Sequence, residues 1–317
     1  MRAAAIDVGS NSALLLAVDV DGSGVARPLV EALATTRLGT RLRRGGPLAS
    51  DAVRRTRDAV VELAARARSV GADAVWGFAT GAVRDAADGD TFARALAADA
   101  AIELEILSGE AEARFAYEAV AAAFPADGAL LAVDIGGRTT ELTLGRGELL
   151  VGSESVALGA LALAETAFAA DPPSREELET AADVVARELA ASTVLSAARS
   201  AAARLTASGG TATALAAIDV SLTAYDPRRV HGHRITMERL GRLVRELLAM
   251  SSAARRALPG MDPGRAAILP AGALVLEYVG RASGAAGIVV SDHGVRHAYL
   301  RRRLARCGVA VERWSWT

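Results

Sequence analysis

Two acids occupy the same kind of place in this 317-residue chain. Asp7 closes an apolar run and is followed by Val8-Gly9-Ser10-Asn11-Ser12. Asp134 closes another and is followed by Ile135-Gly136-Gly137-Arg138-Thr139-Thr140. A second apolar run comes after each turn. A Gly-rich turn between two strands aims several backbone N–H groups at one point, and such a concavity binds anions, phosphate above all. Glycine is expected there because N–H groups converge in backbone conformations that a Cβ disfavours. Ser10, Ser12, Thr139 and Thr140 add hydroxyl donors, and Asn11 adds an amide; it is the only asparagine of a chain without Gln or Lys. A carboxylate beside a phosphate repels it, and a divalent cation between them removes the conflict. Mg²⁺ takes one or two carboxylates together with waters and phosphate oxygens. Asp7 and Asp134 therefore predict a metal-bridged phosphate. One such turn is commonly a plain hairpin whose Asp or Ser bonds its own backbone; two at matching positions argue for a ligand.

The elements that must carry these turns follow from hydrophobic periodicity. Residues 3–8, 13–20 and 28–37 read as strands, 51–69 as a helix, 74–78 as a strand, 90–98 as a helix and 102–107 as a strand. Ser108 caps a helix running to about residue 123, with Glu110 and Glu112 in its first turns, where the dipole favours acids. The second half repeats the order. Residues 130–135, 141–144 and 148–155 read as strands, a helix opens near 158, and one long helix covers 174–204. A strand at 205–207 leads into Ser208-Gly209-Gly210-Thr211 and a helix. Helices at 237–250 and 264–282, a strand at 288–291 and a helix at 292–307 complete the chain. The turn-rich 124–128 segment joins the halves. A repeat on this scale implies two similar α/β domains, which would face each other across a cleft where ligands prefer to bind.

Composition narrows the function. Half the residues are apolar and the formal net charge is −1, which argues against a dedicated nucleic-acid or membrane-surface binder. Every basic side chain other than four histidines is arginine, so a single Arg is weak evidence of a site. Cys307 is the only cysteine, which excludes internal disulfides. No stretch approaches the roughly 20 apolar residues of a membrane span and no leader pattern opens the chain; a cytoplasmic protein is expected. His293 and His297 have a zinc-compatible spacing but no third ligand. There is no P-loop, dinucleotide fingerprint, HExxH or G-x-S-x-G motif.

The paired turns resemble the phosphate-1 and phosphate-2 motifs of the actin-like ATPase superfamily. Ala79-Thr80-Gly81-Ala82-Val83-Arg84-Asp85-Ala86, Glu105-Ile106-Leu107-Ser108-Gly109-Glu110-Ala111-Glu112-Ala113-Arg114 and Val133-Asp134-Ile135-Gly136-Gly137-Arg138-Thr139-Thr140-Glu141-Leu142 narrow the resemblance to the exopolyphosphatase/guanosine pentaphosphate phosphohydrolase (Ppx/GppA) family. The likeness continues through Gly210-Thr211-Ala212-Thr213, the 225–232 segment and Val290-Ser291-Asp292-His293-Gly294-Val295-Arg296.

The resemblance implies an α/β fold of two duplicated ribonuclease-H-like (actin-like ATPase) domains flanking a central cleft. They would span 1–124 and 125–299, with 300–317 packing back on the first. It implies Mg²⁺-dependent hydrolysis of the terminal phosphate of inorganic polyphosphate or guanosine pentaphosphate, by a homodimer that binds neither nucleic acid nor membrane. Glu112 matches the family's catalytic base and Arg84 an arginine turned to the phosphate chain. Asp134 and Glu141 match its metal acids, with Asp7 a weaker third. Gly9, Ser10, Asn11, Ser12, Gly136, Gly137, Arg138, Thr139, Gly209, Gly210 and Thr211 fall where phosphate is held. Relatives have three successive glycines in the second turn; here Arg138 takes the third place and Thr139 replaces serine. Arg37, Arg41, Arg43 and Arg44, and the 228–234 segment, line either a polyanion channel or solvated loops. A kinase using the same turns for ATP and a non-catalytic phosphate or nucleotide sensor are the alternatives.

Overall fold

The computed structural model describes residues 1–43, 45–125 and 127–315. The chain divides into two compact units, Met1–Phe115 with Val295–Thr317, and Ala116–Gly294. The division falls inside the helix Gly109–Ala123 rather than at the 124–128 turn, because nothing breaks that helix before Phe124-Pro125. The return of the chain to the first unit starts at Val295, earlier than residue 300.

The first unit is built on β1 (Arg2–Val8), β2 (Ser12–Val20), β3 (Val25–Thr35), β4 (Ala74–Ala79) and β5 (Glu103–Ile106). The second is built on β6 (Leu130–Ile135), β7 (Thr140–Arg146), β8 (Leu149–Val156), β9 (Arg204–Ser208), β10 (Arg234–Thr236) and β11 (Gly287–Val290). A last short strand, β12 (Arg313–Trp314), returns to the first sheet. The sheets run β12-β3-β2-β1-β4-β5 and β10-β11-β9-β6-β7-β8. In both, three antiparallel strands are followed by two added parallel to the first of them, so β1, β2, β3, β4, β5 correspond to β6, β7, β8, β9, β11. The repeat read from the sequence is thus a repeat of topology.

Each unit has its own core. In the first, Ile6, Leu15 and Phe78 are fully buried. The helix Ser50–Ser69 turns Ala52, Thr56, Val60, Leu63, Ala64 and Ala67 inward at helical spacing. In the second, Leu131, Leu142, Leu205 and Leu276 are fully buried. Burying each large side chain contributes roughly 1.5–3 kcal/mol.

Three helix limits differ from the periodic reading. The expected 174–204 helix is two, Arg175–Ala190 and Thr193–Ser200. Ser192 breaks it by capping the second, its Oγ accepting from Leu195 N–H at 3.1 Å. The Glu154 carboxylate also takes the N–H groups of Thr193 and Val194 at 2.9 and 3.1 Å. The 264–282 helix begins at Leu269, with Pro270 in its first turn, because Asp262 holds Gly264 N–H in a turn at 2.9 Å. The last helix runs Val295–Arg306. Among the described residues no helix is long and apolar enough to cross a membrane.

Candidate active site

In the first unit, parallel strands β1, β4 and β5 end at one edge of the sheet, and the chemistry-bearing turns leave from that edge. β1 ends in the 9–12 turn, closed by Gly9 N–H donating to the Ser12 carbonyl at 3.0 Å. The chain beyond β3 supports it: Thr36 and Arg37 N–H donate to the Asn11 carbonyl, and Gly39 N–H to the Ser10 carbonyl. Ser10, Asn11 and Ser12 are all buried. Asn11 Nδ2 donates to Ser12 Oγ at 3.1 Å, while Asn11 Oδ1 is buried without a hydrogen-bond partner. A half-turn of the amide exchanges these atoms, so Asn11 offers that point either an acceptor or a donor.

Arg84 lies on the short helix Gly81–Asp85 after β4, and Glu112 in the first turn of Gly109–Ala123 after β5. Ser108 starts the latter helix, its Oγ accepting from Ala111 N–H at 3.2 Å. The two expected reactive residues meet: Arg84 Nη1 is 2.8 Å from Glu112 Oε2, with side chains 22% and 13% exposed. The same Nη1 donates to the Leu107 carbonyl at 3.0 Å. Arg84 thereby ties Glu112 to the end of β5 through a single nitrogen.

In the second unit, β6, β9 and β11 likewise end at one edge. Asp134 is directly opposite Glu141 in the β6–β7 ladder. Both side chains therefore leave the same face, with Cβ atoms on the order of 5 Å apart. The row continues outward, Asp134 in register with Ser208 on β9 and Glu141 with Ser155 on β8. Ser208 Oγ donates to Asp134 Oδ2 at 3.1 Å, and Ser155 Oγ to Glu141 Oε1 at 3.0 Å. Burial raises the Asp134 carboxyl above the ordinary carboxylate range, and the Ser208 hydroxyl and the Arg265 guanidinium draw it part of the way back.

The second turn repeats the first, Gly136 N–H donating to the Thr139 carbonyl at 2.9 Å. The carbonyls of Gly136 and Gly137 accept from Ala160, Leu161 and Ala162 N–H, so those donors of the Ala160–Ala167 helix are spent on the turn. Gly9, Gly136 and Gly137 do not adopt left-handed conformations, contrary to the expectation for a concavity built on positive φ. Gly209 does, at φ +78°, and a Cβ there would collide with Asp134 Oδ1. At Gly210 a Cβ would overlap the Arg265 guanidinium. Arg265 is thereby located over the start of the Gly209–Asp219 helix, beside Asp134 and 3.5 Å from Asp262. Thr211 is buried, its hydroxyl against Gly272. Arg265 escaped the sequence reading because one arginine among so many carries no signal of its own; the Asp262-Pro263-Gly264 turn before it was the available hint.

Several residues of the remaining clusters have local partners. Arg228 pairs with Asp226 at 3.1 Å and His233 with Asp219 at 2.7 Å. Arg41 lies 3.9 Å from Asp51, and Arg44 is outside the described residues. His293 packs on His231, and His297 on Trp314, with ring centroids 4.4 and 4.8 Å apart. Among the described residues no group of three or more His, Cys, Asp or Glu could hold a metal ion. In the second unit the expected metal acids are thus a pair, Asp134 and Glu141. A pair of opposed carboxylates, one lifted by burial, suits a hard divalent cation that draws its other ligands from water and phosphate oxygens.

Two units of ribonuclease-H topology, each with a Gly-containing turn at the carboxyl edge of its parallel strands, define a protein of actin-like fold. Residues 17–306 match the model of the Ppx/GppA phosphatase family, and the chain belongs to that family. It is 35% identical over 312 residues to Exopolyphosphatase 2 of Mycobacterium tuberculosis, covering 93% of this chain and 96% of that protein. Over 166 residues it is 32% identical to a guanosine-5'-triphosphate,3'-diphosphate pyrophosphatase of Vibrio vulnificus, 52% of this chain and 33% of that protein. The crystal structure of the Aquifex aeolicus member of the Ppx/GppA family superposes with a TM-score of 0.78 at 27% identity, covering 96% of this chain and 98% of that one. The chain is accordingly a phosphatase, a hydrolase by class.

Proposed function

We propose that this phosphatase is an exopolyphosphatase, removing the terminal phosphate of inorganic polyphosphate and of chains with the same kind of end, such as the 5'-triphosphate of guanosine pentaphosphate. The observation that carries the reading is the Arg84–Glu112 pair, a base and an anion-binding fork held together at neighbouring strand ends. The names borne by the relatives support the same substrates.

In the proposed reaction a water oxygen bonds to the terminal phosphorus while the bond from that phosphorus to the bridging oxygen breaks. The bridging oxygen leaves with its electron pair on a chain one phosphate shorter. Glu112 accepts the water's proton, as a base within hydrogen-bond reach must. Arg84 donates to the equatorial oxygens as their charge spreads. Phosphate binding is assigned in the first unit to the turn at 9–12, and in the second to the turn at 136–139 with Gly209, Gly210 and Arg265, because the rate of such transfers depends chiefly on positioning. Asp134 and Glu141 would hold Mg²⁺, which when bound neutralises phosphate charge. Asp7 and Thr211 are assigned lesser parts, Thr211 because its hydroxyl is turned inward. The homodimer belongs to the same proposal.

Phosphate release from short polyphosphate, long polyphosphate and guanosine pentaphosphate, each with and without Mg²⁺, tests the proposal. Release from at least one, lost in EDTA and restored by Mg²⁺, is expected. ATP-dependent phosphorylation of an acceptor without release would make it a kinase. Ligand-dependent thermal stabilisation without turnover would make it a sensor.

A further inference from the structure

The row Ser208–Asp134–Glu141–Ser155 crosses four adjacent strands at a single register. The carboxylates occupy its middle and the hydroxyls its flanks. Each serine donates to one oxygen of its neighbouring carboxylate, and the second oxygen of each carboxylate is not taken by the serine.

Neither hydroxyl serves as a helix cap. Ser208 stands at the N-cap of Gly209–Asp219, where a serine ordinarily accepts from the first-turn N–H groups. Ser174, Ser192 and Ser251 in the same unit do so, accepting from Glu177, Leu195 and Ala254. Ser208 makes no cap bond; its hydroxyl goes to Asp134. Ser155 is exposed, yet its hydroxyl reaches a Glu141 that is only 2% exposed. Two carboxylates face to face repel each other, and each gains by turning away. A hydroxyl donated to the outer oxygen stabilises the anion and fixes the carboxylate plane.

We infer that Ser155 and Ser208 are positioning residues, whose hydroxyls hold Asp134 and Glu141 as a preorganised oxygen pair for one divalent cation. The inference rests on the cation reading above. It concerns affinity for the ion before any phosphate arrives, so it is read on substrate-free protein.

The experiment is titration of the purified full chain with Mn²⁺, free ion being followed by electron paramagnetic resonance, for wild type, Ser155→Ala, Ser208→Ala, Ser155→Thr, Asp134→Asn and Glu141→Gln. Outer-shell partners of this kind are worth about 10–100-fold in affinity. Each Ser→Ala variant is expected to bind Mn²⁺ more weakly by that factor. Ser155→Thr, which keeps the hydroxyl, should stay within about threefold of wild type. Phosphate release at saturating Mg²⁺ should recover in the alanine variants, while the Mg²⁺ concentration for half-activation rises. Wild-type Mn²⁺ affinity in both alanine variants, alongside lost binding in Asp134→Asn, overturns the positioning role and leaves the cation reading standing. Equal losses in Ser155→Ala and Ser155→Thr also overturn it, since packing and not the hydroxyl would then be responsible. Binding absent in wild type, or untouched by Asp134→Asn and Glu141→Gln, sinks both.

Discussion

The two sheets share a backbone plan and differ in one row of side chains. In the second unit the row through Asp134 is Ser155–Glu141–Asp134–Ser208. In the first, the corresponding row through Asp7 is Leu33–Leu14–Asp7–Phe78. The turns that follow are closed by the same hydrogen bond, at 3.0 Å from Gly9 to Ser12 and 2.9 Å from Gly136 to Thr139. Duplication has preserved the turn and the acid before it. What surrounds the acid has diverged: a carboxylate and two hydroxyls in one copy, two leucines and a phenylalanine in the other. An acid among apolar neighbours has no second oxygen donor in its row to share an ion with. The two residues that the proposal makes reactive lie one and two strands over in the first unit, with Arg84 after β4 and Glu112 after β5. On the proposed reading the copies have divided the labour, proton transfer in the first and cation binding in the second.

That division fails most visibly if Glu112 is dispensable. Glu112→Gln removes the base but keeps size and hydrogen-bonding capacity, and is expected to lower kcat by about 10²–10⁴-fold with an unchanged circular dichroism spectrum. Near-normal turnover by folded variant protein would take proton transfer away from the first unit. Next in size is the contrast between the duplicated acids. Asp134→Asn is expected to cost more than the roughly 10–100-fold typical of an outer-shell partner, and to raise the Mg²⁺ requirement. Asp7→Asn should cost about tenfold or less and leave that requirement in place. Equal losses with equal shifts in Mg²⁺ dependence would mean that the surrounding row does not matter.

The duplication was legible because it is written in local pattern: apolar run, acid, Gly-rich turn, apolar run, twice. The succession of strands along the chain followed from that pattern; the facing of Asp134 and Glu141 is set by the register of the hairpin that joins them. The break at Ser192 was not legible, because one serine in an alanine-rich stretch changes helical periodicity little until Glu154, 38 residues earlier, arrives to bind the new helix start. The same limit hid the meeting of Arg84 with Glu112, 28 residues apart, and that of Ser208 with Asp134, 74 apart. These depend on parallel strand pairing, which local periodicity does not encode. Arg265 was hidden by composition rather than distance.

The finest test grafts one row onto the other. Leu14→Glu places a carboxylate opposite Asp7, reproducing the Asp134–Glu141 opposition without its flanking hydroxyls, because Leu33 and Phe78 remain on either side. Like charges directly opposed in a ladder destabilise it, and the half-buried leucine loses apolar contact. Together these amount to roughly 1–2 kcal/mol, a fall in Tm of a few degrees at about 2–4 °C per kcal/mol. If two opposed acids sufficed to capture a divalent cation, added Mg²⁺ would relieve the repulsion and restore the Tm of this variant. If the hydroxyls are needed to hold the carboxylates in place, Mg²⁺ restores little, and Leu14→Glu combined with Leu33→Ser should respond more than the single variant. Full restoration of the single variant by Mg²⁺ would make the acid pair alone the device, and the difference between the two copies would reduce to the single exchange of Leu14 for Glu141.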